Sequence, residues 1–130
     1  MSATPHLIEC TIPILPVRDF SRSLAFYVEI LGFTVDWGGE AGSCIGSVSR
    51  DGHSLMLSQR PSIAEPAWVW IGCEDDSLFE LWKSKGVKVR QEPLNWSWAY
   101  EMKFEDLDGN VLWLGTEPRR DEPFGDGATN

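Results

Sequence analysis

Apolar and polar positions along this chain of 130 residues run through the same sequence of elements twice. Residues 7–15 form a β-rich run in which Pro13 and Pro16 predict an exposed edge or a bulge, because proline donates no ladder hydrogen bond. Asp19 suits the N-cap of a helix whose apolar stripe is Phe20, Leu24, Tyr27, Val28 and Leu31. Gly32 then ends that helix in the left-handed conformation. Residues 33–37 alternate as a strand, and residues 38–42 are a glycine-rich loop. Residues 43–49 and 54–58 pair as a hairpin over Asp51-Gly52. A polar connector covers residues 59–66, and the pattern restarts with a strand over 67–73. Asp75, Asp76 or Ser77 can cap a second helix, with Leu78, Phe79, Leu81 and Trp82 as its apolar side and Gly86 as its stop. A strand over 87–91, a loop over 92–97 and a hairpin of 99–105 with 110–114 over Asp108-Gly109 complete the series.

The two Asp-Gly turns are 57 residues apart (108 − 51), and the helix stops Gly32 and Gly86 are 54 apart (86 − 32). The fold class this predicts is α+β, with βαβββ modules at about 7–58 and 67–116. One module alone would leave the apolar face of its sheet bare, so the two must pack together within a single domain over 1–116. Residues 117–130, rich in Pro, Gly, Asp and Arg, read as a mobile tail.

Charge narrows the partners. The chain carries 20 acidic and 11 basic residues, a formal charge of −9, which repels a phosphate backbone and excludes nucleic acid as the expected partner. As far as net charge speaks, it favours a cationic ligand. No apolar run approaches the roughly 20 residues of a membrane span, and the N-terminus lacks a secretory signal pattern. The expectation is a cytoplasmic protein with no membrane partner. Cys10, Cys44 and Cys73 are far apart, in no C-x-x-C, and read as free buried thiols. Tryptophan is abundant, with 7 in the chain.

The segment Ile14 to Phe33, I-L-P-V-R-D-F-S-R-S-L-A-F-Y-V-E-I-L-G-F, resembles the first strand and helix of the vicinal oxygen chelate superfamily, which includes glyoxalase I, extradiol dioxygenases and bleomycin-resistance proteins. Glu105 to Leu114, E-D-L-D-G-N-V-L-W-L, resembles its terminal hairpin, with Leu107 where proline is usual. The resemblance covers residues 7 to 116 and implies that the two βαβββ modules form a curved mixed sheet. In the metal enzymes of that superfamily four side chains on the sheet hold the ion. Those positions fall here on Ile12, Met56, Trp68 and Trp113, and none offers the carboxylate oxygen or imidazole nitrogen that a divalent ion needs. His6, Glu9 and His53 are close by in sequence but not at those positions. No metal and no cofactor are therefore expected.

The branch most resembled is that of the bleomycin-resistance proteins, through Thr34-Val35-Asp36-Trp37, S-R-D-G…L-M-L-S and a tryptophan shortly before Glu101-Met102. That resemblance implies a homodimer whose clefts sequester a cationic or aromatic small molecule, such as a bleomycin-type antibiotic. The candidate ligand-binding residues are Trp37, Met56, Trp68, Trp70, Trp98, Tyr100, Glu101, Met102 and Trp113. Trp68 and Trp70 share strand parity, and so do Trp98, Tyr100 and Met102. Glu101 is the carboxylate expected near a bound cation, and either Trp96 or Trp98 could face the cleft. Ordinary core packing is the competing reading for each tryptophan; Trp37 and Trp82 read as structural on pattern alone. No Ser/His/Asp triad, cysteine pair or phosphate-binding loop points to catalysis. A divergent metal-dependent lyase, isomerase or dioxygenase stays open as the alternative.

Overall fold

The computed structural model describes residues 7–129. Its first module comprises strand β1 (Ile14–Val17), helix α1 (Phe20–Ala25) and strands β2 (Thr34–Trp37), β3 (Ile45–Arg50) and β4 (His53–Gln59). The second comprises β5 (Trp68–Gly72), α2 (Ser77–Ser84), β6 (Lys88–Asn95), β7 (Tyr100–Glu105) and β8 (Val111–Thr116). Each module forms its own four-stranded mixed sheet, in the orders β1-β4-β3-β2 and β5-β8-β7-β6. In each the first strand lies parallel to the last, and the others pair antiparallel.

The local signals behave as their chemistry dictates. The Asp19 carboxylate accepts from Arg22 N–H at 3.1 Å and caps α1. Beyond Ala25 the helix widens into one π-type stretch, Phe26–Ile30, closed by Leu31 N–H to the Phe26 carbonyl at 3.1 Å. Gly32 follows with φ +82°, the left-handed stop. The wider turn leaves the Leu31 carbonyl accepting from both Arg50 Nη1 (3.3 Å) and Trp82 Nε1 (3.2 Å), so the end of α1 is tied to β3 and to α2. Tyr27, Leu31, Phe79 and Trp82 meet Leu57, Phe104 and Leu114 in one continuous core drawn from both sheets and both helices.

The modules are also joined through the D-L-D-G-N turn. Asp106 accepts from Tyr27 Oη (2.7 Å), Asp108 N–H (2.9 Å), Asn110 N–H (2.9 Å) and Asn110 Nδ2 (2.9 Å). Asp108 in turn accepts from Arg18 N–H at 3.0 Å and from Ser23 Oγ at 3.1 Å, which explains a buried serine on the helix stripe. Asn110 Nδ2 donates to the Pro16 carbonyl at 2.8 Å. Burial pushes the Asp106 carboxyl above its ordinary range, against the lowering effect of these hydrogen bonds. Burial and the adjacent carboxylate push the Tyr27 phenol well above its own range.

Four expectations are corrected. Residues 7–13 are exposed and outside any strand; β1 begins only at Ile14, where the chain comes into register with Met56. Strand β6 runs on through Pro93 to Asn95 where a loop was expected; it is the edge of its sheet, where a missing N–H costs no ladder bond. Residues 117–129 do not hang loose. Asn95 Oδ1 accepts from Arg119 N–H at 2.8 Å, Gly125 N–H donates to the Asn95 carbonyl at 2.7 Å, and Phe124 is buried. Arg119 also lies 3.8 Å from the Tyr100 ring centre and 2.7 Å from Asp76. Finally, Cys10 and Cys44 are exposed, not buried, and Cys73 is half-buried.

Asp106→Ala should lower the unfolding free energy by roughly 3 kcal/mol, because several buried donors lose their acceptor together. Tyr27→Phe, which removes only one of the hydrogen bonds between the modules, should cost about 1 kcal/mol. Urea denaturation followed by circular dichroism measures both.

Candidate functional site

The outward face of the second sheet carries a wall of indoles. Trp113, at the middle of β8, is in register with Trp70 on β5 and with Lys103 on β7. Its ring meets those of Trp68, Trp70 and Trp98 edge to face, at centroid distances of 6.0, 5.4 and 6.1 Å and interplanar angles of 81°, 82° and 81°. Trp70 and Trp98 are also 6.1 Å apart. Each such pair contributes about 1 kcal/mol beyond simple burial. The outer three remain accessible: Trp68 is 52%, Trp70 48% and Trp98 55% exposed. The Trp70 ring lies across Gly115, where any Cβ would collide with it.

Beneath the wall lies one carboxylate. Glu101 is 2% exposed and accepts from Trp113 Nε1 at 2.7 Å and from Trp96 Nε1 at 2.9 Å. Gln91 Nε2 is 3.4 Å away, and the Lys103 ammonium 3.6 Å. Lys103 also donates to Gln91 Oε1 at 2.9 Å. Two indole donors and a neighbouring cation are the partners a buried carboxylate requires. They fix Trp113, and through it the orientation of the other rings.

The sequence matches the family model of the glyoxalase/bleomycin resistance protein/dioxygenase superfamily over residues 5–114. The chain belongs to that superfamily. Solved structures agree on the superfamily's fold. The bleomycin resistance determinant encoded on transposon Tn5 aligns with a TM-score of 0.73 at 24% identity, covering 85% of this chain and 98% of that one. An integron cassette protein from the Halifax Harbour sewage outfall metagenome gives 0.71 at 23%, covering 84% and 99%. TioX from Micromonospora sp. ML1 gives 0.69 at 16%, covering 83% and 99%. None of the curated proteins compared matches this chain.

At the positions where metal enzymes of the superfamily carry their ligands, the donor set here does not fit an ion. Ile12 has no lone pair, Trp68 and Trp113 offer only an N–H, and that of Trp113 is already donated to Glu101. Met56 lies across the other sheet's outward face, opposite Ile14 and Ser47. Among the described residues no three His, Cys, Asp or Glu side chains converge. Glu9 and His53 are exposed, and His6 lies outside the described residues.

Of the nine expected site residues, Trp68, Trp70, Trp98 and Trp113 come together. Glu101 joins them as their buried support rather than as an open contact for a cation. Tyr100 and Met102 do not. Met102 is buried in the core, and Tyr100 stacks on Phe79 of α2 at 5.7 Å. The shared parity fails because β7 starts at Tyr100, so Trp98 lies in the preceding bend and its direction is not set by the pleat. Trp37 and Met56 belong to the first sheet, and Trp37 is in ring contact with none of the four among the described residues. Both Trp96 and Trp98 take part, one as a donor to Glu101 and the other as a wall ring. Lys103, Gln91 and Arg90 were missed. For Lys103 the signal was available in the alternation of Glu101, Lys103 and Glu105 along β7; Gln91 and Arg90 are on the neighbouring β6.

The outward face of the first sheet has its own polar focus. Asp36 accepts from Ser49 Oγ (2.7 Å), Ser47 Oγ (2.9 Å) and Ser54 Oγ (3.3 Å). The Ser49 and then the Ser47 hydrogen bond hold its carboxyl below the ordinary range. A hollow of about 340 Å³ opens at the seam between the sheets, beside His53, Leu55, Ile71 and Cys73; it shares Trp70 with the wall.

Glu101→Ala should destabilise the fold by about 2–4 kcal/mol and shift tryptophan emission to the red, since two indole donors lose their acceptor. Denaturation and emission spectra report the two effects. Ser49→Ala should raise the Asp36 titration midpoint towards that of a free carboxyl, read by side-chain NMR. Asp36 is lowered in the fold, so whatever stability it lends is present above its unfolded value and is lost as pH falls.

Proposed function

We propose that this chain is a metal-independent small-molecule-binding protein that sequesters a flat aromatic ligand against the Trp68/Trp70/Trp98/Trp113 wall, without bond chemistry. The observation that carries this reading is the wall itself: four indoles in edge-to-face contact on an otherwise outward sheet face, three of them about half exposed. Exposed aromatic surface of this kind, rimmed by polar groups, is characteristic of a binding face. A bleomycin-type antibiotic is one candidate ligand, by resemblance.

The working form is a cytoplasmic homodimer. The first sheet's outward face exposes Ile14 (50%) and Ile45 (41%), and the second exposes the tryptophans. A two-fold assembly that laid the first face of one copy over the wall of the other would convert both open faces into two equivalent clefts. No helix among the described residues is long and apolar enough to cross a membrane. The alternative, a divergent metal-dependent lyase, isomerase or dioxygenase, would need donors that Ile12, Met56, Trp68 and Trp113 lack.

Bleomycin and a panel of planar aromatic compounds, titrated while tryptophan emission is followed, test the reading. At least one should quench saturably, with the same affinity in chelator. Trp98→Ala should weaken that binding about tenfold, the order expected for loss of one stacking ring. Silence across the panel at high micromolar concentration would sink the proposal, as would binding that appears only with stoichiometric Zn²⁺, Ni²⁺ or Mn²⁺.

A further inference from the structure

The charge at the wall opposes the charge of the chain. Although the formal total is −9, the groups standing over the indole faces are cations. The Lys103 ammonium lies 4.7 Å from the Trp113 ring centre and 5.9 Å from that of Trp68. The Arg90 guanidinium lies 4.9 Å from the Trp68 ring centre. These are cation–π contacts made by the protein's own side chains.

Depth separates the signs further. The carboxylates are the inner layer, with side chains 2% (Glu101) and 16% (Glu105) exposed. Of the cations, Lys103 is 16% exposed, as covered as Glu105, while Lys88 at 72% and Arg90 at 44% reach outward. Glu101 is opposed by Lys103 at 3.6 Å, and Glu105 by both Lys88 at 3.5 Å and Arg90 at 3.6 Å. Three positive groups thus face two negative ones, and an approaching molecule meets Lys88 and Arg90 first. An ammonium on the ligand would have to share the Trp68 and Trp113 faces with Arg90 and Lys103 and be repelled by them. An anion would not.

Arg90 is also suited to receive one. Its contact with Glu105, at 3.6 Å, is longer than a hydrogen bond. A guanidinium fork pairs with a carboxylate or sulfonate through two parallel N–H bonds.

Resting on the reading of the wall as an aromatic-binding surface, we propose that its ligand carries an anionic group: the ring system stacks on the exposed tryptophans and the anion pairs with Arg90. The chain's overall acidity does not select for a cation at the Trp68 and Trp113 faces, where the groups over the rings are Arg90 and Lys103; the Asp126 carboxylate is bonded to Ser97, the residue before Trp98. Arg90 is the specificity-determining residue, and Lys103 holds the opposite charge away from the indole faces.

Three ligands with one ring system test this on the full chain: naphthalene-2-carboxylate, naphthalene-2-methanol and naphthalene-2-methylammonium. Calorimetry gives their affinities, and the indole N–H signals in NMR locate them. The carboxylate should bind about tenfold more tightly than the ammonium, with the alcohol between them, a step of about 1.4 kcal/mol. Added salt should narrow the gap. Arg90→Gln should bring the three affinities together and Arg90→Glu should reverse their order; Arg90 stands on an exposed edge strand, and circular dichroism verifies that both variants fold. An ammonium that binds as well as the carboxylate, or better, overturns the anionic assignment and leaves aromatic binding standing. Failure of all three to bind overturns both.

Discussion

The hydrogen bonds converging on Asp106 are the constraint that makes one domain of two modules. The carboxylate closes its own turn through Asp108 and Asn110 and receives the Tyr27 hydroxyl from the other module. A residue that fixed only the turn would leave the modules without the buried bond from Tyr27, held by apolar contact and by the bonds of Asp108, Asn110 and Trp82. A residue that reached only across the seam would leave the hairpin undefined. Because one buried carboxylate does both, the geometry of β7 and β8 is set relative to α1 as well as to each other. The wall of indoles inherits that precision, since Glu101 and Lys103 are on β7 and Trp113 is on β8.

Much of this architecture was legible in the sequence because its signals are local. Asp51-Gly52 and Asp108-Gly109 announce tight turns by backbone chemistry, and Gly32 and Gly86 announce helix stops; all four glycines adopt positive φ. Their near-equal spacing revealed the repeat. What was not legible depends on distant partners. The apolar run before Ile14 has strand propensity, but it joins no ladder and stays exposed. The segment after Glu117 has the composition of a loose tail, yet Asn95 offers it both an acceptor and a donor. The widened turn that follows α1 has no sequence marker; it shows in the Leu31 N–H, which bonds to the Phe26 carbonyl five residues back.

The site divides in the same way. The wall tryptophans could be nominated from β5 and β8, where strand parity holds, but parity misplaced Tyr100 and Met102 because the strand begins later than its apolar pattern. Glu101 was singled out for its charge and placed beside a ligand. In the fold its charge is spent on two indole N–H groups and a lysine. A carboxylate between Tyr100 and Met102 looks exposed by composition; only the tryptophans and Gln91 around it make its burial tolerable.

Placing the support beneath the contact surface separates two kinds of change. Trp113 and Trp96 are bound to Glu101, so altering them disturbs the frame. Trp68, Trp70 and Trp98 touch that frame through ring edges and otherwise face outward. They can be exchanged for other side chains without opening the network below. A protein arranged in this way can drift in what it recognises while its capacity to fold is left intact, and a single scaffold can supply related chains with different tastes.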